Sequence, residues 1–301
     1  MTNETGLCLP PLDQVDTPIF KVPSEACDCH AHVFGPRKKF PFILDRSYTP
    51  PEASLNAYQN MHRQLGLTRA VIVQPSIYGN DNKATLDAIK QYGDENARGV
   101  AVVTNNVSEA ELEMLHIGGI RGVRFNLLFK GGMQLKDLEY IASKIAIFNW
   151  HIQLLIDVSE LQSIADRLRR LPNEIVFDHM GHMPTNRGVN DVGFQTLINL
   201  IEEGHAWAKL SGSYRTSTAS PSYKDAEVFA HALISASNKR MVWGSDWPHP
   251  GLYDNMPNDG ALLNALNDYC PSDTLKKAIL VDNPAQLYGF NAPLEGGEHG
   301  K

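Results

Sequence analysis

No stretch of this chain approaches the roughly 20 consecutive apolar residues that a membrane-spanning helix needs. The opening MTNETGLCLPPLDQ has neither a basic start nor an apolar middle, so it does not read as a secretory signal, and a cytoplasmic protein is expected. Positive charge is not in excess. Lys and Arg number 27 against 34 Asp and Glu, a net −7, which provides no global field for nucleic acid or an anionic membrane. Any anion site must therefore be local. Cysteine is scarce: Cys8, Cys27, Cys29 and Cys270 are all there is in 301 residues, and without an export signal they are expected as reduced thiols. No linker, internal repeat or low-complexity tract divides the chain.

What is present is alternation. Short β-rich apolar runs (ACDCHAHVF, RAVIVQPS, GVAVV, GIRGVRFNL, HIQLLID, EIVFDHMG, AWAKLSG, RMVWGSDWP) take turns with amphipathic stretches such as PEASLNAYQNMHRQLG and VGFQTLINLIEEG. Several of those begin at a Ser or Asp cap, as in SEAE and SELQ. Nearly unbroken Val/Ile/Leu strands between helices imply a parallel sheet covered by helices. Eight strand–helix units is the number that closes a (β/α)8 TIM barrel, an α/β fold in one domain. The expected organisation is a leader over residues 1–23 wrapping the surface, a barrel over 24–290 and a flexible tail over 291–301.

A barrel puts its chemistry at the C-terminal ends of its strands, so the polar residues interrupting those ends are the candidates. In ACDCHAHVFG, alternation with period two sends Asp28, His30 and His32 to one face. Cys27, Cys29 and Ala31 go to the other, as small residues packed against outer helices. The sixth run ends in FDHMGH, offering His179, and the eighth in WGSDWPHP, offering Asp246. His182 and His249, in the loops beyond, are as readily solvated side chains.

A second group is cationic. Arg124 enters the mouth from GIRGVRFNL, Lys130 follows in the next loop, and Arg215 stands on the same rim after AKLSG, with Tyr48 and Ser76 in the loops after the first two strands. Three cations on one rim of an acidic protein favour an anionic ligand, since a planar guanidinium donates two parallel hydrogen bonds to a carboxylate.

An H-x-H after the first strand, a His late in the barrel and an Asp after the eighth strand resemble the amidohydrolase superfamily. DCHAHVFGP, VIVQPSIYGNDN, GIRGVRFN, VFDHMGH, VWGSDWPHP and DNPAQLYGF are similar, in order, to the 2-pyrone-4,6-dicarboxylate lactonase group, which also holds sugar lactonases and lactone isomerases. The resemblance implies a hydrolase opening a small anionic lactone, with Asp246 as general base and His30, His32 and His179 polarising the carbonyl. It further implies Arg124, Lys130, Arg215, Tyr48 and Ser76 holding the substrate, while Asp28 stands as a partner fixing an imidazole tautomer. Two departures stand out. Lys130 occupies the place of the group's second arginine, and Ile156 that of a tyrosine.

No cofactor is expected, because a guanidinium in the mouth opposes a cation and no metal-bridging residue ends the fourth strand. If a metal binds, His30, His32 and Asp246 would hold a single Zn²⁺. The alternatives are a lactone isomerase on the same site, a mononuclear Zn-dependent decarboxylase or hydrolase of the superfamily, and a sugar-acid binding protein. The partner expected is the small anionic lactone alone, on a monomer or homodimer.

Overall fold

The computed structural model describes residues 6–129 and 133–291. Along the chain come β1 (Cys27–Ala31), α1 (Leu55–Leu65), β2 (Arg69–Val73), α2 (Lys83–Tyr92), β3 (Ala97–Ala101), α3 (Glu109–Ile117) and β4 (Ile120–Asn126). There follow α4 (Leu138–Ile145), β5 (His151–Leu155), α5 (Ala165–Arg169), β6 (Ile175–Phe177), α6 (Val192–Glu202) and β7 (Ala206–Leu210). The last elements are α7 (Ser213–Thr216), α8 (Glu227–Ala236), β8 (Met241–Trp243), α9 (Asp259–Tyr269), α10 (Asp273–Lys277) and α11 (Asn283–Tyr288). The eight strands form one parallel sheet in sequence order.

The sheet closes just beyond β8. Asp246 N donates to His30 O at 2.8 Å and His32 N to Trp247 O at 2.7 Å, so the residues after β8 pair with β1. That seam sets Asp246 beside the two histidines of β1. The expected (β/α)8 barrel is the fold observed.

Helix ends follow the chemistry of their caps. Ser54 Oγ accepts from Ala57 N at the start of α1, and Gly66, at φ +74°, ends that helix in the left-handed region. Ser108 accepts from Glu111 N and starts α3, as SEAE leads one to expect. SELQ behaves differently. Asp157 caps Ser159 N, residues 158–163 form a 3₁₀ stretch, and α5 is only five residues long. The N-terminal turn of α6 leaves no room there for a wider helix, since a Cβ on Gly193 would lie 1.9 Å from Val158 O.

The apolar face of α1 (Tyr58, Met61 and Leu65) is buried against the barrel. Each such side chain contributes about 1.5–3 kcal/mol relative to exposure. Of the leader, residues 6–23 are described. Cys8 N and Leu9 N bond to Thr49 O and Leu252 O, and Ile19 N to Asn264 Oδ1. Residues 1–5 and 292–301, with nearly all of the expected tail, lie outside the described residues.

The alternation expected along β1 is corrected by a bulge. Asp28 pairs with Ala70 but Ala31 with Ile72, so β1 carries one residue more than β2 over this interval. An inserted residue flips the side-chain facing beyond it. Cys27 and Cys29 therefore face the barrel interior with Val71, Val73, Val100, Val176 and Val242, rather than the outer helices. Asp28 points outward to Tyr58 and His62 of α1, while His30 and His32 both enter the mouth. All four cysteines are free and buried.

Candidate active site

Three imidazoles converge on one carboxylate. His30 Nε2 and His32 Nε2 each lie 3.7 Å from Asp246 Oδ1, and His179 Nε2 lies 3.7 Å from Asp246 Oδ2. Three elements deliver them: the bulged β1, the turn after β6 and the segment after β8. Asp246 at φ +66° and His179 at φ +52° sit in a backbone region that non-glycine residues rarely adopt. Hydrogen bonds to His30 O and from His249 N hold Asp246 there. Such strain persists only where its surroundings over-determine it.

The other ring nitrogen of each histidine is engaged behind the site. His32 Nδ1 meets Val73 O at 2.7 Å, and His179 Nδ1 meets Ser211 Oγ at 3.0 Å. His30 Nδ1 lies 3.1 Å from Asp178 Oδ1 and 3.2 Å from Lys209 Nζ. The tautomer-fixing place expected of Asp28 is thus held by other groups. Asp28 instead accepts from Ser245 N, Ser245 Oγ and Tyr58 OH, all away from the mouth.

Asp246 is clamped at one oxygen. Oδ2 takes Tyr214 OH at 2.6 Å and a short bond from Arg215 Nε, leaving Oδ1 open toward His30 and His32. Burial alone would push its pKa up, but Arg215 and then the three imidazoles outweigh burial and hold the carboxyl well below the usual carboxylate range. Burial pushes His32 and His179 well below the ordinary imidazole value, and His30 below it despite Asp178, so the rings are neutral near pH 7.

Of the expected anion holders, Arg124 donates to Asp178 Oδ2 through Nε at 3.2 Å and Nη2 at 3.0 Å. Arg215 is engaged by Asp246 and Pro250 O. Tyr48 and Ser76 line the same pocket, where burial raises the Tyr48 phenol to about 12. Lys130 lies outside the described residues. His182 lines the pocket behind His179. His249 does not; it bridges Asp259 Oδ1 at 3.1 Å to Tyr214 OH at 3.0 Å, behind the Asp246 clamp.

Three residues of this site escaped the sequence reading. Lys209 is fully buried, with Nζ 2.9 Å from Cys29 O and 2.7 Å from Gln153 Oε1. Gln153 Nε2 in turn donates to Asp178 Oδ2 at 3.0 Å. Tyr214 completes the set. A lone lysine within the apolar run AWAKL was the available signal, because a buried cation is retained only with partners.

The pocket between His32, Tyr48, Arg124, Phe129, His179 and Asp246 has a volume of about 20 Å³. That is room for one or two waters. Two larger clefts, of about 360 and 430 Å³, lie elsewhere and contain no histidine.

Among the described residues, two buried groups bring metal-ligating atoms within 4.8 Å of one another: His30, His32 and Asp246, and His30, Asp178 and His179. Their donor types suit Zn²⁺. Their surroundings do not. Arg124, Lys209 and Arg215 set against Asp178 and Asp246 leave one excess positive charge while the imidazoles are neutral. A dication would raise that to three in a buried pocket, where unbalanced charge is expensive. A ligating histidine also needs an acceptor on its far nitrogen. His32 has one in Val73 O, whereas His30 faces the Lys209 ammonium as well as Asp178.

The chain is 38% identical over 282 residues to a 2-pyrone-4,6-dicarboxylate hydrolase of Comamonas testosteroni, covering 90% of this chain and 92% of that one. It is 36% identical to a 4-sulfomuconolactone hydrolase of Hydrogenophaga intermedia, covering 94% of each. A crystal structure of a probable 2-pyrone-4,6-dicarboxylic acid hydrolase from Acinetobacter baumannii, with citric acid bound, superposes with a TM-score of 0.79 at 30% identity. It covers 88% of this chain and all of that one. The amidohydrolase family matches residues 27–290, from the first residue of β1 to the segment that closes the barrel floor, and this chain belongs to that family.

Proposed function

We propose that this protein is a lactonase that opens the ring of a small anionic lactone by hydrolysis, with Asp246 as base and no metal. The observation that carries the reading is the open Oδ1 of Asp246, with two neutral imidazoles 3.7 Å from it in a pocket of net positive charge. The Comamonas and Hydrogenophaga relatives are named as hydrolases of anionic lactones, and the Acinetobacter structure holds a tricarboxylate, which suits the same reading.

Hydrolysis of a lactone needs a water made nucleophilic and a carbonyl oxygen stabilised as it turns negative. Oδ1 of Asp246 accepts a proton from water, whose oxygen bonds to the lactone carbonyl carbon. An imidazole N–H meets the developing oxyanion. The ring C–O bond then breaks, and the proton held by Asp246 passes to the leaving oxygen, giving a hydroxyl or enol and a carboxylic acid that ionises by releasing its proton to solvent. Because Asp246 is held so acidic, it is a weak base. Proximity and the electron-poor lactone carry that deficit. Arg124, Tyr48, Ser76 and Lys130 hold the substrate carboxylate, and Arg215 serves as clamp of Asp246 rather than as a free anion holder.

The test is turnover of 2-pyrone-4,6-dicarboxylate and 4-sulfomuconolactone by chelator-treated protein, followed by ultraviolet absorbance and product mass, with metal content measured on the same sample. Addition of one water to either substrate without stoichiometric metal is expected. An isomeric lactone as product would replace hydrolysis by isomerisation. Activity that vanishes with the chelator and returns with Zn²⁺ would overturn the metal-free part.

A further inference from the structure

Lys209 is a buried cation that the proposed reaction does not use. Its ammonium has three N–H bonds and no lone pair. Three acceptors surround it: Gln153 Oε1 at 2.7 Å, Cys29 O at 2.9 Å and His30 Nδ1 at 3.2 Å. Asp178 Oδ1, 3.4 Å away, keeps the ammonium in company with a negative charge. The amide of Gln153 is oriented to match, with its oxygen toward Lys209 and its nitrogen toward Asp178.

We infer that Lys209 is a positioning residue that forces the two histidines of the H-x-H pair into opposite tautomers. A donor facing His30 Nδ1 leaves that nitrogen bare, so the ring proton sits on Nε2. His32 is fixed the other way, because Val73 O at 2.7 Å can only accept and Nδ1 must carry the hydrogen. Neutral His30 therefore presents an N–H to the pocket, and neutral His32 presents a lone pair.

Two orphaned atoms agree. His30 Nε2 is buried without a hydrogen-bond partner, as an N–H awaiting a substrate oxygen would be. Asp178 Oδ1 also lacks a hydrogen bond although His30 Nδ1 is 3.1 Å away, so the ring edge is not aimed to donate there. Resting on the lactonase reading, this divides the labour. His30 donates to the developing oxyanion, while His32 Nε2 and Asp246 Oδ1 together accept from the attacking water.

Nuclear magnetic resonance of ¹⁵N-histidine-labelled, chelator-treated protein reads the tautomers directly, since protonated and bare ring nitrogens differ widely in shift. His30→Asn and His32→Asn variants identify the signals. In the wild-type protein His30 is expected protonated at Nε2 and His32 at Nδ1. In Lys209→Met the ring is free to turn its edge toward Asp178 Oδ1, so the His30 proton should move to Nδ1, and kcat should fall on the order of 10²–10³-fold with little change in KM, the usual loss of one oxyanion donor. A wild-type His30 protonated at Nδ1, or at both nitrogens, overturns the inference even if Lys209→Met fails to fold. Tautomers as assigned without turnover of any lactone would instead sink the functional reading and leave this one standing.

Discussion

At the scale of single residues, the site separates charges that simple burial would have neutralised. Asp246 keeps its negative charge in the barrel mouth because Arg215 and Tyr214 occupy one oxygen and leave the other exposed to the pocket. Asp246→Asn keeps the shape and removes the base. It is expected to lower kcat by about 10³-fold, within the usual range for a general base, while substrate binding measured by calorimetry stays within a few-fold of wild type. Near wild-type turnover in that variant would end the base assignment. Both histidines of the H-x-H and Asp246 stand out in the sequence by their type and place at strand ends. Lys209, Gln153 and Tyr214 do not, because their importance comes from partners 32 to 179 positions away.

At the scale of elements, the decisive feature is the junction of β1 with the chain after β8. Gly244 lies in that junction, where a Cβ would come within 2.7 Å of His30 Cβ and 2.9 Å of His30 N. The neighbour there is backbone in the bulged strand and cannot step aside cheaply. Gly244→Ala is therefore expected to cost about 1–3 kcal/mol in urea unfolding and to lower kcat by displacing His30. Unchanged stability together with unchanged kcat would show that the seam tolerates the shift. The eight strands and most of the helices were legible from alternation and caps. The bulge was not: ACDCHAH carries no residue that announces it, and one inserted residue reversed the facing of Asp28 and the cysteines. The short 3₁₀ path through SELQ was hidden for a related reason, since Gly193 of a later helix presses on it.

At the scale of the whole molecule, stability is tied to keeping buried imidazoles neutral. His151 lies on the inner face of β5 beside Tyr288, with neither ring nitrogen hydrogen-bonded, and burial followed by Lys209 lowers its pKa to about 3. The unfolded chain takes up that proton near pH 6.5, whereas the folded protein refuses it until about pH 3. The folded form is thus fully favoured above about 6.5 and loses about 1.4 kcal/mol per pH unit from this group as pH falls toward 3. His151→Leu removes the group without orphaning a partner. Urea midpoints are expected to match or exceed wild type near pH 7 and to fall less steeply toward pH 5. Parallel profiles for the two proteins would refute this. No helix among the described residues is long and apolar enough to cross a membrane, in keeping with the sequence.

The sequence alone determined the barrel, because the period and length of each apolar run are local properties that only a parallel, helix-covered sheet satisfies. It also determined which strand ends carry imidazole and carboxylate, since these polar residues interrupt otherwise apolar runs. Tertiary structure alone decided how those groups are protonated and aimed. Arg215 on Asp246, Lys209 behind His30 and Val73 O behind His32 are pairings across strands, and hydrogen-bond direction and burial arise only once the barrel has closed.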